Sequence, residues 1–296
     1  MDSHNTKGSQ YPMMTFLYRI GAYEFFSPEL CRAVVTEMAA TTCLLFMLTT
    51  TIIARLESHE TEPKLLIPIA VIVIAFLLLV VTVPLSGGHM SPIFTFISAL
   101  RGLITLVRAL FNVLAQCVGS IMAYLVIKSV MNENTAEKYS LGGCMVNGNR
   151  SGVNAGTALI LEFTCSFLVL YVAITIAFNK KMCQELGFTM VCVIVAGVYA
   201  LAVFASITVT GQAGYRGVGL NPARFLGPAL LLGGSLWDGH WVFWVGPFLA
   251  CIVYYGFTLT LPKQGLVRAE KEHHITQLVL GSCYGAGFPS HVEEKV

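Results

Sequence analysis

The sequence predicts an all-α membrane protein: six transmembrane helices plus two re-entrant half-helices, arranged as an inverted 3+3 repeat. Three observations carry this. Charged residues make up 11% of the 296 against 55% hydrophobic, with mean hydropathy +0.72, whereas a soluble domain carries roughly 25% charge. Six apolar runs are each long enough to cross ~30 Å of hydrocarbon as a helix. Two Gly-rich strings, SGGHMSPIFTF and GVGLNPARFLGPA, put a polar residue before Pro at matched places in the two halves of the chain.

The runs are Ala33–Ala54, Leu66–Leu85, Leu103–Ile127, Thr157–Phe178, Phe188–Val209 and Trp241–Leu261. The opening residues, MDSHNTKGSQYPMM, are polar, so the first run is expected to serve as both signal and anchor. The expected organisation is a cytoplasmic N-terminal segment over 1–32, a channel domain over 33–261 and a cytoplasmic tail over 262–296. Within the channel domain, repeat one covers about 33–128 and repeat two about 157–261. An even number of spans puts both termini on one side. With Arg108 and Arg224 set aside as intramembrane, ten Lys and Arg lie on that side against six on the other. The positive-inside bias therefore predicts cytoplasmic termini. Lys180 and Lys181, in the short connection Asn179–Gly187, carry the clearest part of that signal.

Several function classes are excluded at this stage. A net charge of +2 is too small for a nucleic-acid partner. No metal-ligand spacing, phosphate loop or nucleophile–base pair is present, so neither a cofactor nor catalysis is expected. Most of the nine Cys sit in apolar runs as small hydrophobes. Cys144, in a polar loop, reads equally as a free thiol or as an intermolecular disulfide. Arg108 reads as a helix-end side chain that snorkels to the interface. Asn149-Arg150-Ser151 is an N-glycosylation pattern in a loop that this topology places outside.

The halves repeat one another. Glu37 lies inside the first run and Glu162 inside the fourth, and a carboxyl at that depth costs a few kcal/mol unless partnered. Ser91 follows Glu37 by 54 positions, and Asn221 follows Glu162 by 59. Pro92 and Pro222 suit the first helical position, and Ser91 and Asn221 are both good N-caps. The stretches Ile93–Leu100 and Ala223–Leu232 are too short to span. They read as half-helices entering from opposite faces and capped near the centre. Irregular backbone at that depth survives only where it lines a water-filled path. The segments Gly87-Gly88-His89-Met90 and Gly217-Val218-Gly219-Leu220 are expected to aim their carbonyls into it. Inverted repeats of this kind place a transport site near the midplane. A proton-coupled transporter using Glu37 and Glu162 is the alternative to a passive pore.

SGGHMSPIFTF and GVGLNPARFLGPA resemble the two Asn-Pro-Ala boxes of the aquaporin family (major intrinsic proteins), and Phe243-Trp244-Val245-Gly246-Pro247-Phe248 resembles that family's last helix. The resemblance covers roughly Ala33 to Leu261. It implies the aquaporin fold, a homotetramer in a lipid bilayer and passive transport of small neutral solutes. Glu37 and Glu162 are then structural acceptors for half-helix backbone, and His89 is a loop brace. The chain departs from the common pattern at Ser91-Pro92-Ile93, in the longer loop Gly211–Leu220 and at Gly142-Gly143-Cys144. These departures resemble the X intrinsic protein subfamily of plants. That likeness implies plasma-membrane channels for glycerol, urea, boric acid and hydrogen peroxide.

By the same resemblance, Arg224 matches the filter Arg, and Val218, three residues before Asn221, an adjacent filter position. Matching FASITVTG to the family places Val203 on the fifth helix, and counting back 20 residues from Ser91 reaches Val71 on the second. Water-selective members carry an aromatic and a His at the two helix positions. Three Val with one guanidinium give an amphipathic constriction suited to solutes with donors on one side, and low water permeation. The two half-helix N-termini, each carrying roughly half a positive charge, and Arg224 oppose cations and protons. Ser91 is expected to keep its cap through its hydroxyl oxygen. It lacks the two-proton amide that Asn221 offers, so a solute should be held mainly from the Asn221 side.

Overall fold

The structure, a computed structural model, describes residues 20–58, 63–146, 153–210 and 217–260. Asn149, residues 211–216 of the loop before the second box, residues 1–19 and residues 261–296 lie outside them. Nine α-helices are formed among the described residues: α1 Pro28–Glu57, α2 Pro63–Ser86, α3 Pro92–Leu100, α4 Leu106–Val130, α5 Glu133–Lys138, α6 Ala155–Ala177, α7 Lys180–Thr210, α8 Pro222–Leu232 and α9 Val242–Thr260. Six of them (α1, α2, α4, α6, α7 and α9) are long and apolar enough to cross a membrane. At 1.5 Å per residue, the nine residues of α3 and eleven of α8 cover about 14 and 17 Å, half a bilayer.

Local capping sets the boundaries. α1 starts five residues before the expected Ala33, because Ser27 accepts from the Leu30 N–H at 3.1 Å and Pro28 occupies the first turn. α4 starts at Leu106 rather than Leu103, because Thr105 accepts from the Arg108 N–H at 3.2 Å. Asn154 caps α6 in the same way. The connection expected over Asn179–Gly187 is largely helical. Its Lys180–Leu186 part forms the opening of α7, and Gly187, at φ 77, turns the chain into the spanning part.

The packing repeats as the sequence does. α1 rests on α2 and α4, α6 rests on α7 and α9, and the halves meet through α2 against α7. Each half-helix also lies against the third span of the other half, α8 on α4 and α3 on α9. Close approach depends on two matched glycines. A Cβ at Gly119 would meet the Met38 carbonyl oxygen at 2.5 Å, and one at Gly246 would meet the Glu162 Cβ at 2.9 Å. Small residues at such crossings let membrane helices pack backbone to backbone.

Burial is inverted relative to a soluble bundle. Ile69, Leu77, Leu110, Leu114 and Ile252 are exposed, whereas Glu37, Asn112, Gln116 and Glu162 are fully buried. Hydrocarbon solvates the first set and not the second.

Two expectations are corrected here. Arg108 does not snorkel. A turn at Ala22–Glu24 folds beneath α4 and sets the Glu24 carboxylate 3.2 Å from Arg108 Nε, and the Thr105 hydroxyl donates to the same oxygen at 2.9 Å. Both charged side chains are buried, so each compensates the other's desolvation. Cys144 is buried beside Val146, Val153, Phe225 and Phe243, shielded from a second chain by its own fold. An intermolecular disulfide there does not fit.

Candidate functional site

Each half builds the same device. Glu37 Oε1 accepts from the Ser86 hydroxyl at 2.6 Å and the His89 N–H at 3.0 Å. Its Oε2 accepts from the Met90 N–H at 2.7 Å and Gln116 Nε2 at 2.8 Å. Glu162 Oε1 accepts from the Gly219 N–H at 2.8 Å, and Oε2 from the Leu220 N–H at 3.3 Å. Two successive backbone donors thus converge on one carboxylate in each repeat. They are loop amides just before the half-helices, one step upstream of the expected half-helix backbone. Met90 and Leu220 both take positive φ, 48° and 53°. Non-glycine residues enter that region only at a cost of order 1 kcal/mol or more, and the carboxylates hold them there.

The consequence of those two turns is a clasp across the repeats. Asn221 Nδ2 donates to the Met90 carbonyl at 2.8 Å, and Ser91 Oγ donates to the Leu220 carbonyl at 3.3 Å. Each cap residue therefore reaches the residue before the opposite cap. Asn221 also caps its own helix, its Oδ1 accepting from the Ala223 N–H at 3.1 Å. Ser91 makes no side-chain cap bond, contrary to expectation. Its single proton is drawn to the other repeat, and its short side chain cannot serve both partners. Pro92 and Pro222 open their helices as anticipated. Ile93 packs with Leu170, Ile174 and Cys251 rather than narrowing the junction. Ala223 is buried and its carbonyl accepts from the Ser120 hydroxyl.

Ser91→Asn should therefore be stabilising. An amide there can reproduce both bonds of Asn221, and a gained cap contributes about 1 kcal/mol. The expected result is a conducting protein with a raised thermal midpoint in detergent. An unchanged or lowered midpoint would contradict this geometry.

A cavity of about 130 Å³ lies among α1, α2, α3, α6 and α7 and reaches both caps. Val71, Val203 and Arg224 line it together, with Gly88, His89, Met90, Ser91, Gly219 and Asn221. Val218 is placed differently from expectation. Its side chain is buried among Val71, Val203 and Leu220 and is not part of the lining. Its carbonyl accepts from Arg224 Nη1 at 3.2 Å, and its N–H is fixed by Ser206 Oγ at 3.0 Å. Arg224 also lies over the Phe225 ring at 5.3 Å. A buried guanidinium held by a carbonyl and a ring is a fixed charge at the cavity wall. The Leu220 carbonyl is turned into the clasp rather than the lumen. His89 engages Glu37 through its backbone; both ring nitrogens lack a protein partner, so the ring itself braces nothing. Glu37 and Glu162 stand outside the lining.

Sequence reasoning missed Glu24, Phe94 and Tyr199. Phe94 and Tyr199 also line the cavity. The available signal for Tyr199 was its place four residues before Val203, on the same helix face.

Six spans, two half-helices meeting at a cavity and a fixed cation in its wall define a multi-pass membrane channel. The "Major intrinsic protein" family model matches residues 24–255. "Probable aquaporin PIP2-5" of Arabidopsis thaliana is 29% identical over 266 residues, covering 84% of this chain and 86% of that protein. "Probable aquaporin PIP2-8" of Oryza sativa subsp. japonica is 31% identical over 240 residues, covering 78% and 82%. The aquaglyceroporin from Plasmodium falciparum has the same fold, with a TM-score of 0.65 at 16% identity, covering 78% of this chain and 96% of that one. The chain belongs to the major intrinsic protein family, a family of channels and not of enzymes.

Proposed function

We propose that the protein is a passive channel for small uncharged solutes (glycerol, urea, boric acid and hydrogen peroxide) with low water permeation and exclusion of ions and protons. The observation that carries this reading is the wall of the cavity. Val71 and Val203 stand where Arg224 supplies the fixed donors, and Leu44, Leu48, Ala75 and Val195 continue an apolar surface. A permeant finds hydrogen bonds on one side and hydrocarbon on the other, which suits a polyol or boric acid better than water. The departures at Ser91-Pro92-Ile93 and Gly142-Gly143-Cys144 support a place in the X intrinsic protein subfamily. We assign the protein to the plasma membrane as a homotetramer with cytoplasmic termini. The exposed apolar faces of the spans fit lipid and like subunits, and the Lys180-Lys181 pair fits the orientation.

A proton-coupled transporter built on Glu37 and Glu162 is disfavoured. Both carboxylates are fully buried away from the cavity, and Glu37 is engaged by four donors. Liposome flux decides between the two. A stopped-flow panel of water, glycerol, urea and boric acid, with peroxide uptake in cells, should show downhill flux unaffected by a proton gradient. Gradient-driven accumulation would overturn the pore.

The filter has its own test. Val203→His narrows the cavity and adds a polar partner for water. Glycerol and boric acid flux should fall by about ten-fold, the effect of ~1.4 kcal/mol on a barrier, while water flux falls less. Unchanged solute flux would remove Val203 from the filter.

A further inference from the structure

We propose that Tyr199 and Phe94 are specificity-determining residues at the level of the two caps, with Tyr199 supplying the donor that Ser91 lacks. This rests on the channel reading above and adds specificity-determining residues to it.

The two cap junctions are asymmetric. At one, a single amide, Asn221, both caps its helix and binds the opposite carbonyl. At the other, Ser91 brings one proton, and it goes to the Leu220 carbonyl. The Tyr199 hydroxyl donates to that same oxygen at 3.2 Å. A carbonyl has two lone pairs, so Ser91 and Tyr199 together engage both. The Leu220 carbonyl is thereby withdrawn from any permeating molecule.

Aromatic carbon takes its place. The Tyr199 ring stacks on Phe94 with centroids 5.8 Å apart and planes 27° apart. Phe94 lies one turn after Ser91 on α3, and Tyr199 one turn before Val203 on α7. Both rings are half-buried and line the cavity. α2 runs antiparallel to α7, so the place one turn from Val71 towards the caps is Ala75, which lines the cavity but carries no ring. The device therefore belongs to one repeat only.

Donor bookkeeping gives the functional consequence. Of the protons around the junction, Ser91, Tyr199 and one of the two on Asn221 Nδ2 are already placed. A permeant is left one amide proton of Asn221, the unpartnered His89 ring and an apolar ring wall. Water, which gains from partners on several sides, is disfavoured relative to a solute that carries its own carbon or boron body.

The test uses the full chain reconstituted in liposomes, with water, glycerol and erythritol fluxes measured for wild type, Tyr199→Phe and Tyr199→Ala. Tyr199→Phe keeps the ring and returns one lone pair of the Leu220 carbonyl to the lumen. Water permeability should rise by about five-fold, as one net hydrogen bond allows, while glycerol flux stays near wild type. Tyr199→Ala opens the ring wall, and erythritol should then cross at a rate approaching glycerol. If wild type conducts and both variants match it for all three permeants, specificity is not set at Tyr199 and the inference falls. If Tyr199→Ala does not fold, the water-to-glycerol ratio of Tyr199→Phe decides alone. A wild-type protein no more permeable than empty liposomes overturns the channel reading, and this inference with it.

Discussion

Glu37→Leu should leave no folded channel. Leucine fits the volume of a buried helical site, but it strands the His89 and Met90 N–H groups and one Gln116 amide proton, and leaves the Ser86 hydroxyl only its 3.3 Å bond to the Thr82 carbonyl. Each buried donor left without an acceptor costs about 1–3 kcal/mol, so the loss is roughly 5 kcal/mol or more. That exceeds what a marginally stable protein tolerates. The expected observation is loss of the monodisperse peak in detergent chromatography. Glu37→Gln should be intermediate, because its NH₂ replaces an acceptor with a donor and faces two N–H groups. A well-folded Glu37→Gln protein with unchanged thermal midpoint, and with solute accumulation abolished, would instead assign the carboxylate to proton coupling.

Arg224→Val should make the channel leak protons and cations. The guanidinium is the one full positive charge among the described residues of the cavity lining, held by the Val218 carbonyl at 3.2 Å. At close range and an effective dielectric near 20, a unit charge raises a cation's barrier by about 4 kcal/mol. The half-helix N-termini keep part of the barrier after its removal. Proton conductance in liposomes under a pH gradient should therefore rise by at least about ten-fold, with neutral-solute flux maintained or increased. Conductance equal to wild type would place charge exclusion entirely in the half-helices. Arg224→Lys separates geometry from charge: it keeps the cation but not the planar donor fork that fits a carbonyl and a ring together.

Much of this site is legible in the chain. Glu37 and Glu162 announce themselves because a carboxylate inside an apolar run must have a partner. The Pro-led half-helices are equally visible, since α3 and α8 are too short to cross and begin where no membrane helix should begin. Through the family resemblance, Val203 follows from matching FASITVTG and Val71 from counting back from Ser91, and both reach the cavity. Arg108 and Ser91 were misread, for one shared reason. Their local roles, helix-end cation and N-cap, are properties of the helix alone. Their actual partners are 84 and 129 residues away, at Glu24 and the Leu220 carbonyl. Val218 was assigned a side-chain role from its position, yet the turn before Asn221 buries the side chain and spends the carbonyl on Arg224.

Composition, apolar run length and the doubled motif by themselves determine six spans, two half-helices and the inverted repeat. Each follows from the cost of unsatisfied backbone and unpartnered carboxylate in hydrocarbon, a cost charged residue by residue along the chain. Which polar atoms remain for a permeating molecule is a different quantity. It is what is left after every donor and acceptor at the junction has chosen its partner. Ser91 and Tyr199 converge on one carbonyl from separate repeats, and only the folded packing of α3, α7 and α8 brings them together.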